Sequence, residues 1–483
     1  MSTDGSSTDR TTSARLGLVL AVCCAGQFMV VLDASVVNVA LPSIRNELHF
    51  APDSLQWVIN AYTIVFAGFL LLGGRLADLY GRRRVLLGGL FVFTLSSLAG
   101  GLAYDPTTLV IARGVQGLGA AIMAPATLTV LGTTFTESGQ RAKAFGTWAA
   151  VAAGGGAVGA LIGGVITQWL SWRWILLVNV PIGVVLCAGT LYAVTESRKD
   201  EGPRRVDVLG SLSITLGLMA VVSAIVRSQK LGWGDPGILT TFGIGAVLLV
   251  FFLVNEAKLA TQPLVPLTIF RNRPVSAANV VAFTSTAALW GTFYLFTLLL
   301  QLVLGYSPLH TGLAYLPLSL GILVAARGIA PLVPKVGPRP VLSVGLLLSA
   351  AGLAWLSNAS VDADFWRALF GPSLVLGIGQ GMISASVTIA GTAGVSYREQ
   401  GLVSGLLNTS RQVGGAVGLA VLVAVANAET GTQVSRQALA AGYDKALLVA
   451  AVLPLLGLLA AAAVPKVDKK EQSSAEQATP ART

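Results

Sequence analysis

The sequence has 483 residues, of which 54% are hydrophobic and 11% are charged, and its mean hydropathy is +0.74. A soluble globular protein carries about a quarter charged residues, so this composition excludes one. The formal net charge of +10 would favour nucleic acid binding in a soluble protein, but the basic residues lie mostly in short loops between apolar segments. There they are typical of membrane topology signals, and no nucleic acid partner is expected.

Apolar segments of about 20 residues, long enough to cross a bilayer as helices, recur along almost the whole chain. The polar ends, residues 1–15 and 466–483, are low in apolar residues and predict disordered tails. The sequence therefore predicts an all-α integral membrane protein in a lipid bilayer. Its fourteen predicted transmembrane helices lie near residues 16–41, 54–75, 84–104, 107–133, 141–168, 173–195, 206–228, 236–257, 275–304, 309–333, 340–357, 365–391, 400–425 and 445–464.

Lysine and arginine fall unequally on the two sides of these helices. Counted by alternate loops, one side holds the basic clusters at 81–84, 198–205 and 271–273 and both tails, whereas the other holds only a few such as Arg45 and Arg173. The positive-inside rule places the basic side in the cytoplasm. Both termini are therefore predicted to be cytoplasmic, which requires an even number of spans.

The sequence also repeats itself. Residues 115–132 resemble residues 379–394, and residues 141–159 resemble residues 400–418 in the same order. The spacing exceeds six helices by the length of one helix pair, which has no counterpart elsewhere. Internal repeats of this kind are typical of secondary transporters. The predicted units are a cytoplasmic tail over 1–15, a six-helix bundle over 16–195, an inserted helix pair over 206–258, a second six-helix bundle over 272–465 and a tail over 466–483.

An acid stands in the first predicted helix. In "MVVLDASVVNVALP", residues 29–42, Asp33 is the one carboxylate that lies well inside a predicted span. Burial favours the neutral form of a carboxyl group, and a nearby arginine favours the ionised form. An acid balanced between these effects can bind a proton from one side and release it to the other. Asp33 is therefore the candidate proton carrier.

The segment "GGRLADLYGRRRVL", residues 73–86, joins the second and third predicted helices. Its glycines permit a tight turn and close helix approach, and its aspartate can cap a helix or pair with a neighbouring arginine. An ordinary positive-inside loop is the alternative, and the regular spacing argues against it. The gating candidates in this segment are Gly74, Asp78, Gly81, Arg82 and Arg83.

The fourth predicted helix contains "IARGVQGLGAAIMAP", residues 111–125, with Arg113 and Gln116 one turn apart. An unpaired arginine inside a membrane costs about 2.5–3.5 kcal/mol or more, so Arg113 needs a partner, and Asp33 at a comparable depth is the expected one. One alternative is that Arg113 extends to the membrane interface. Another is that the two residues form a permanently ionised pair that only holds the first and fourth helices together.

The fifth predicted helix contains "AAGGGAVGALIGG", residues 152–164. Glycine at this density weakens a helix unless close packing compensates. The segment therefore predicts a helix face that approaches a neighbour closely. The candidates for this packing face, which we group with the gating residues, are Gly155, Gly159, Gly163 and Gly164.

Further polar and aromatic residues are weaker candidates for a cargo site. The ninth helix carries an aromatic stripe that can line a cavity for flat, apolar cargo, although ordinary bundle packing explains such a stripe equally well. Arg411 lies in the middle of its predicted helix and requires a partner or a water-filled cavity. The candidates are Asn60, Gln116, Trp290, Phe293, Tyr294, Gln301, Asn408, Arg411 and Gln412.

No constellation of enzymatic residues appears in the sequence. No Gly-rich phosphate loop precedes a helix, so ATP hydrolysis is not indicated. His49 and His310 have no partners at metal-ligand spacing. We therefore expect neither an enzyme nor a metal or organic cofactor.

Four of these motifs resemble those of the major facilitator superfamily. Residues 73–86 fit G-x-x-x-D-x-x-G-R-[RK], and residues 111–125 fit R-x-x-Q-G-x-G-x-A. Residues 152–164 are similar to the antiporter motif G-x-x-x-G-P-x-x-G-G, with Ala160 in place of the proline. Residues 32–42 resemble L-D-x-[TS]-V-V-N-V-A-L-P, the first-helix signature of the fourteen-span drug:proton antiporters. The same branch is resembled by residues 55–67, 172–183 and 411–418, so the resemblance runs from about residue 16 to residue 465.

The resemblance implies the major facilitator fold, with two six-helix bundles and two inserted helices. It also implies a monomeric, proton-coupled antiporter of the bacterial cytoplasmic membrane, which exports lipophilic, often cationic small molecules by alternating access and is driven by the proton gradient without a cofactor. Asp33 would carry the proton, Arg113 would respond to its charge, and the loop at 73–86 would latch the cytoplasmic side. The Gly-rich fifth helix would let the halves slide.

Two alternatives share these motifs. One is a dedicated exporter of a single metabolite or antibiotic, and the other is a transport-inactive membrane sensor on the same fold. The short tails and the isolated Asp33 argue against the sensor.

Overall fold

A computed structural model describes residues 5–197, 207–329, 331–359, 361–393, 395, 399–431 and 435–464. The predicted tail at 466–483 and the basic cluster at 198–205 therefore lie outside the described residues. Within the described residues the chain is helical and contains no strand. The prediction of an all-α protein is confirmed.

Seventeen α-helices are numbered here in chain order. Four short π-helical or 3-10 segments extend or link them, at Asn255–Leu259, Leu267–Arg271, Leu299–Val303 and Phe365–Leu369. The α-helices are α1 Gly5–Leu48, α2 Trp57–Tyr80, α3 Arg82–Gly101, α4 Pro106–Thr134, α5 Ser138–Trp169, α6 Trp174–Leu177, α7 Asn179–Ala193, α8 Val208–Leu231, α9 Pro236–Val254, α10 Arg273–Leu298, α11 Pro308–Ala314, α12 Leu316–Ile329, α13 Val333–Val336, α14 Pro338–Leu356, α15 Phe370–Thr392, α16 Gln400–Thr430 and α17 Arg436–Ala461.

Thirteen stretches of the described residues are long and apolar enough to cross a membrane. The remaining predicted span, the fifth, is present as α5, a helix of 32 residues. The first helix begins earlier than expected, at Gly5 rather than near Leu16. Once the apolar part of α1 is helical, extending it over preceding residues without proline adds one hydrogen bond per residue, so a tail of low apolar content can continue it.

Local sequence signals explain where several helices start. Asp105 precedes α4, and its side chain accepts a hydrogen bond from the backbone N–H of Thr108 at 3.0 Å, followed by Pro106 at the first helical position. Hydrogen bonds from Thr108, the hydroxyl first and the backbone amide second, lower the pKa of Asp105. Ser435 caps α17 in the same way through the backbone N–H of Ala438.

The helices pack in two groups with the same pattern. In the first half, α1 to α7, α1 packs on α5, and both α2 and α3 pack on α4. In the second half, α10 to α17, α10 packs on α16, and both α12 and α14 pack on α15. Gly81 and Gly337, which precede α3 and α14, have positive φ angles of 104° and 94°. The structure thus repeats the internal similarity of the sequence, while the exact domain boundaries stay a prediction.

The end of the bundle that carries Gly81 is called the loop end, and the other the opposite end. At the opposite end, one apolar cluster joins both halves, including Leu41 of α1 and Tyr294 of α10. The Gln301 side chain also donates a hydrogen bond to the carbonyl oxygen of Val39 at 2.8 Å. At the loop end, α5 and α12 border a cavity of about 550 Å³, lined by Lys143, Gly146, Thr147, Val151 and Arg327.

The inserted pair α8 and α9 does not stand apart from the bundles. Helix α8 packs against α2 of the first half and α16 of the second half. Its apolar residues bury Ile64 of α2 together with Ala416 and Ala420 of α16. The inserted pair therefore covers the seam between α2 and α16.

Candidate functional site

Asp33 lies in α1 and is 1% exposed, and Arg113 of α4 is equally buried. Their side chains form an ion pair, with Asp33 Oδ2 at 2.5 Å from Arg113 Nη1. Gln116, one turn further along α4, donates to Asp33 Oδ1 at 2.7 Å. The structure thus brings together the three residues that the sequence singled out in α1 and α4.

Asn179, at the start of α7, donates a third hydrogen bond to the acid, with its Nδ2 at 3.1 Å from Asp33 Oδ1. Sequence reasoning missed this residue. The sequence did contain a signal for Asn179, since it is an amide inside the apolar segment at 173–195, and a polar side chain inside a membrane span needs a partner. The Asp33 carboxylate therefore accepts hydrogen bonds from three side chains, one of which is charged.

Arg113 is held by further contacts from the same half. Its Nε donates to the carbonyl oxygen of Val58 at 3.0 Å, and its Nη1 donates to Gln116 Oε1 at 2.6 Å. Its guanidinium lies 4.4 Å from the ring centroid of Tyr62. Gln116 in turn donates to Ser97 Oγ at 2.7 Å.

These contacts connect α1, α2, α3, α4 and α7 through one buried polar network. A buried pair of this kind is strongly destabilised when one partner loses its charge, because the other remains uncompensated. Protonation of Asp33 removes its charge and one acceptor site. The arrangement can therefore convert proton binding into a rearrangement of the helices that supply the donors.

Beside Asp33, the one carboxylate well inside a predicted span, the structure places two more acids in or directly after its helices. Glu256 is 4% exposed in the segment that continues α9. Asp444 lies within α17, and its Oδ1 is buried with no hydrogen-bond partner in the part of the chain that the structure describes. Asp444 was missed because its predicted helix began at 445, whereas α17 begins at Arg436. Glu256 stands in the last turn of its predicted helix, 236–257, rather than well inside it.

The weaker polar candidates have few partners. Asn60 is fully buried, and neither polar atom of its side chain has a hydrogen-bond partner among the described residues. The buried Oε1 of Gln412 has no hydrogen-bond partner within the described ranges, and Asn408 is half-buried. Arg411 donates to Thr388 Oγ1 at 3.4 Å, and no ion pair among the described residues includes it. These amides and this cation remain candidates for cargo contacts.

The aromatic stripe of α10 makes packing contacts in this structure. Tyr294 is buried in the apolar cluster of the opposite end. Phe293 stacks on Tyr315 with ring centroids 5.2 Å apart. Trp290 lies against Gly415 of α16, where a Cβ would meet the indole ring at 2.9 Å. A role for the stripe in cargo binding stays a prediction, since the packing alternative explains these three contacts.

The loop motif at 73–86 contacts the segment that follows α7 through hydrogen bonds. Asp78 pairs with Arg82 at 3.1 Å, and Arg82 Nη1 donates to Ser197 Oγ at 3.2 Å. The backbone N–H of Arg83 donates to Glu196 Oε1 at 3.3 Å. Glycine is favoured at residue 81 by its positive φ angle, while the Glu196 carboxylate, 2.5 Å from where a Cβ would stand, belongs to a flexible side chain.

The expected close approach at Gly74 is not found. A Cβ there would meet only Pro125 at 3.6 Å, an ordinary contact. The close approach belongs to Gly73, whose Cβ would collide with the carbonyl oxygen of Ala121 in α4. The preceding residue faces α4 because neighbouring residues on a helix point about 100° apart.

The glycines of α5 hold helices together rather than providing a sliding surface between halves. A Cβ at Gly155 would lie 3.2 Å from Val31, one at Gly159 would collide with Ser35, and one at Gly163 would lie 2.8 Å from the carbonyl oxygen of Val36, all in α1 of the same half. Gly164 differs from them. A Cβ there would lie 2.6 Å from the carbonyl oxygen of Pro308, in α11 of the second half.

Gly164→Val should therefore separate the two halves at the opposite end, because the new side chain would collide with the backbone of α11. The measurement is the distance between spin labels on Leu170→Cys and Leu313→Cys, by double electron–electron resonance. Both leucines are exposed. We expect a longer distance in the Gly164→Val protein than in its parent.

The matched control is Gly156→Val in the same helix, where a Cβ meets no atom within 4 Å. Cys23, Cys24 and Cys187 are replaced beforehand so that only the introduced cysteines carry labels. An unchanged distance in both variants would show that Gly164 does not control this contact.

Comparisons with known proteins agree with this architecture. The sequence model of the Major Facilitator Superfamily matches residues 23–419. The chain is 41% identical over 470 residues to the cephamycin export protein of Amycolatopsis lactamdurans, covering 95% of this chain and 96% of that protein. It is 41% identical over 414 residues to the puromycin resistance protein of Streptomyces alboniger, covering 85% and 82%.

A crystal structure of the POT family transporter PepTSo is similar in fold, with a TM-score of 0.67 at 15% sequence identity, covering 93% of this chain and 98% of that one. The family match over most of the chain and the two relatives at 41% identity show that the chain belongs to the Major Facilitator Superfamily and is a multi-pass membrane transporter of small molecules rather than an enzyme.

Proposed function

We propose that this protein is a proton-coupled antiporter that exports lipophilic, often cationic small molecules such as drugs, dyes and antibiotics. We place it as a monomer in the bacterial cytoplasmic membrane, with both termini in the cytoplasm, as the excess of basic residues at the loop end favours. The observation that carries the proposal is the buried Asp33, which accepts hydrogen bonds from Arg113, Gln116 and Asn179.

The contacts around Asp33 suggest how a proton would be coupled to movement. In the described structure the Asp33 carboxyl group accepts hydrogen bonds from three donors. The apolar cluster and the Gly164 contact close the opposite end in this state. Cargo would bind from the cytoplasmic side in this state, and once the opposite end has opened, a proton from outside would neutralise Asp33, free Arg113 and loosen the network of α1, α2, α3, α4 and α7. Release of that proton to the cytoplasm would restore it, and cargo would move the other way.

A dedicated exporter of one antibiotic is the second candidate. The relatives include proteins named for single compounds, among them cephamycin export and puromycin resistance, beside a multidrug resistance protein of Mycobacterium tuberculosis that is 35% identical over 400 residues. Both candidates use the same proton site and differ only in the residues that line the cargo path.

The test uses proteoliposomes that contain the purified full-length protein and an imposed pH gradient. We expect gradient-dependent movement of at least one compound from a panel of cationic dyes, puromycin and cephamycins, and loss of that movement when an ionophore collapses the gradient. Movement of many unrelated compounds supports the multidrug exporter, and movement of one class supports the dedicated exporter. Transport that persists without a proton gradient would contradict proton coupling.

A further inference from the structure

A second acidic site lies at the loop end of the inserted helices α8 and α9, whereas Asp33 lies in α1. Asp207 caps α8, and Glu256 follows α9. Each carboxyl oxygen of Asp207 accepts a hydrogen bond. Its Oδ1 accepts from the backbone N–H of Gly210 at 2.7 Å, and its Oδ2 accepts from Asn255 Nδ2 at 2.5 Å.

The carboxyl group of Glu256 accepts a hydrogen bond on only one of its two oxygens among the described residues. The residue is 4% exposed, and its Oε2 accepts from the backbone N–H of Val265 at 2.7 Å. Its Oε1 is buried and has no hydrogen-bond partner in the described part of the chain. A Cβ on Gly210 would lie 2.5 Å from Asp207 Oδ2 and 2.7 Å from Glu256 Oε1, so these two carboxyl oxygens are no more than 5.2 Å apart.

No positive charge compensates the two acids within the described ranges. None of the four ion pairs there includes Asp207 or Glu256. Two cations lie nearby in the chain or the fold, but the Lys258 side chain is exposed, and Arg75 of α2 donates a hydrogen bond to Gln262. Two ionised carboxylates this close, one of them almost fully buried, repel each other strongly, so one of them is favoured in its neutral form.

The donors decide which acid is neutral. Both oxygens of Asp207 already accept hydrogen bonds, whereas Oε1 of Glu256 accepts none from the described residues and is the oxygen available to carry a proton. We propose that Glu256 is a second proton-binding site, which holds its proton on Oε1 facing Asp207. The site is separate from the Asp33 network, and the proposal holds whatever the cargo is.

The position of the site suggests what its proton controls. Val265, which donates to Glu256, belongs to the segment that connects α9 to the second half. Val265 is also buried with Phe252 of α9 and Leu406 of α16, against Leu71 of α2. A neutral Glu256 holds this connecting segment at the seam between the halves. Ionisation would place a second negative charge beside Asp207 and loosen the segment.

The direct test is infrared difference spectroscopy of the full-length protein in lipid nanodiscs, comparing the parent with Glu256→Gln. A protonated carboxyl has a carbonyl stretching band that a carboxylate lacks. We expect this band in the parent at neutral pH, its loss at alkaline pH, and its absence from Glu256→Gln. The control is Glu137→Gln, since Glu137 is exposed and should contribute no such band at neutral pH. An identical spectrum for the parent and Glu256→Gln would overturn the proposal.

A second measurement covers the case in which Glu256→Gln fails to fold. Asp207→Asn removes the neighbouring negative charge, so Glu256 should lose its proton at lower pH than in the parent. We expect the Glu256 band to vanish at a lower pH in this variant, and an unchanged titration would contradict the pairing. Neither spectrum depends on transport, so the proposed antiport and this site can fail separately.

Discussion

Asp33→Asn is expected to reduce gradient-driven export to the level of protein-free liposomes and to lower the free energy of unfolding by about 3–5 kcal/mol, the usual cost of removing one partner of a buried ion pair. Asparagine fits the same space and can still accept a hydrogen bond. It carries no charge and binds no proton at accessible pH. Arg113 would then remain buried without a charged partner, in contact with Val58, Gln116 and the ring of Tyr62. Transport is measured as dye efflux, and stability as unfolding in detergent.

The double variant Asp33→Asn with Arg113→Gln separates function from structure. With both charges removed, no uncompensated ion remains, so much of the lost stability should return. Export should stay absent, because no acid is left to carry the proton. If export returned together with stability, the pair would be structural and the proton site would lie elsewhere.

An exposed ion pair serves as the control for the buried pair of Asp33 and Arg113. Glu47 pairs with Arg173 at 2.9 Å, with its side chain 49% exposed. Glu47→Gln should change stability by less than about 1 kcal/mol, as is typical of surface pairs. It should also leave export intact, because this pair lies outside the buried network.

Gly117→Ala is expected to destabilise the protein by about 1–3 kcal/mol, the usual cost of overpacking a tight interface. A Cβ at Gly117 would collide with the carbonyl oxygen of Tyr62 and lie 3.1 Å from its Cα. These are backbone atoms of α2 and cannot rotate away. The collision pushes α2 from α4 next to the Tyr62 ring that covers Arg113, so export should fall as well.

Gly114→Ala is the matched control, three residues earlier in the same helix. A Cβ there meets only Val65 at 3.9 Å. Alanine is favoured over glycine inside a helix by about 0.5–1 kcal/mol, so this variant should be as stable as the parent or more stable. Unfolding of both variants in detergent gives the comparison. Equal stability of the two would mean that α2 and α4 can separate freely at Gly117.

The centre of the candidate site could be predicted from the sequence because its signals are local. Asp33 stands alone in an apolar run, and Arg113 and Gln116 occupy one face of a helix at a spacing of three residues. A buried arginine and a buried acid at similar depths need each other, which predicts the pair without coordinates.

The rest of the network depends on contacts between distant segments. Asn179 and Ser97 reach the site only because α7 and α3 pack against α1 and α4 in space. The partner of each glycine is equally invisible in the sequence. Gly163 and Gly164 are neighbours in the chain, yet one faces α1 and the other faces α11 of the second half. Periodicity gives the face of a helix and not the identity of its neighbour.

The seating of α8 against both α2 and α16 has a consequence for how cargo reaches the interior from the membrane. Two seams separate the halves, and the inserted pair shields the one between α2 and α16 from lipid. Helix α9 turns an apolar, largely exposed surface outward in its place. If the cargo is lipophilic, as proposed, a compound dissolved in the bilayer would enter sideways on the other flank, between α5 and α12, where Lys143 and Arg327 border the cavity. Entry from the lipid would be one-sided in a molecule whose two halves are otherwise alike.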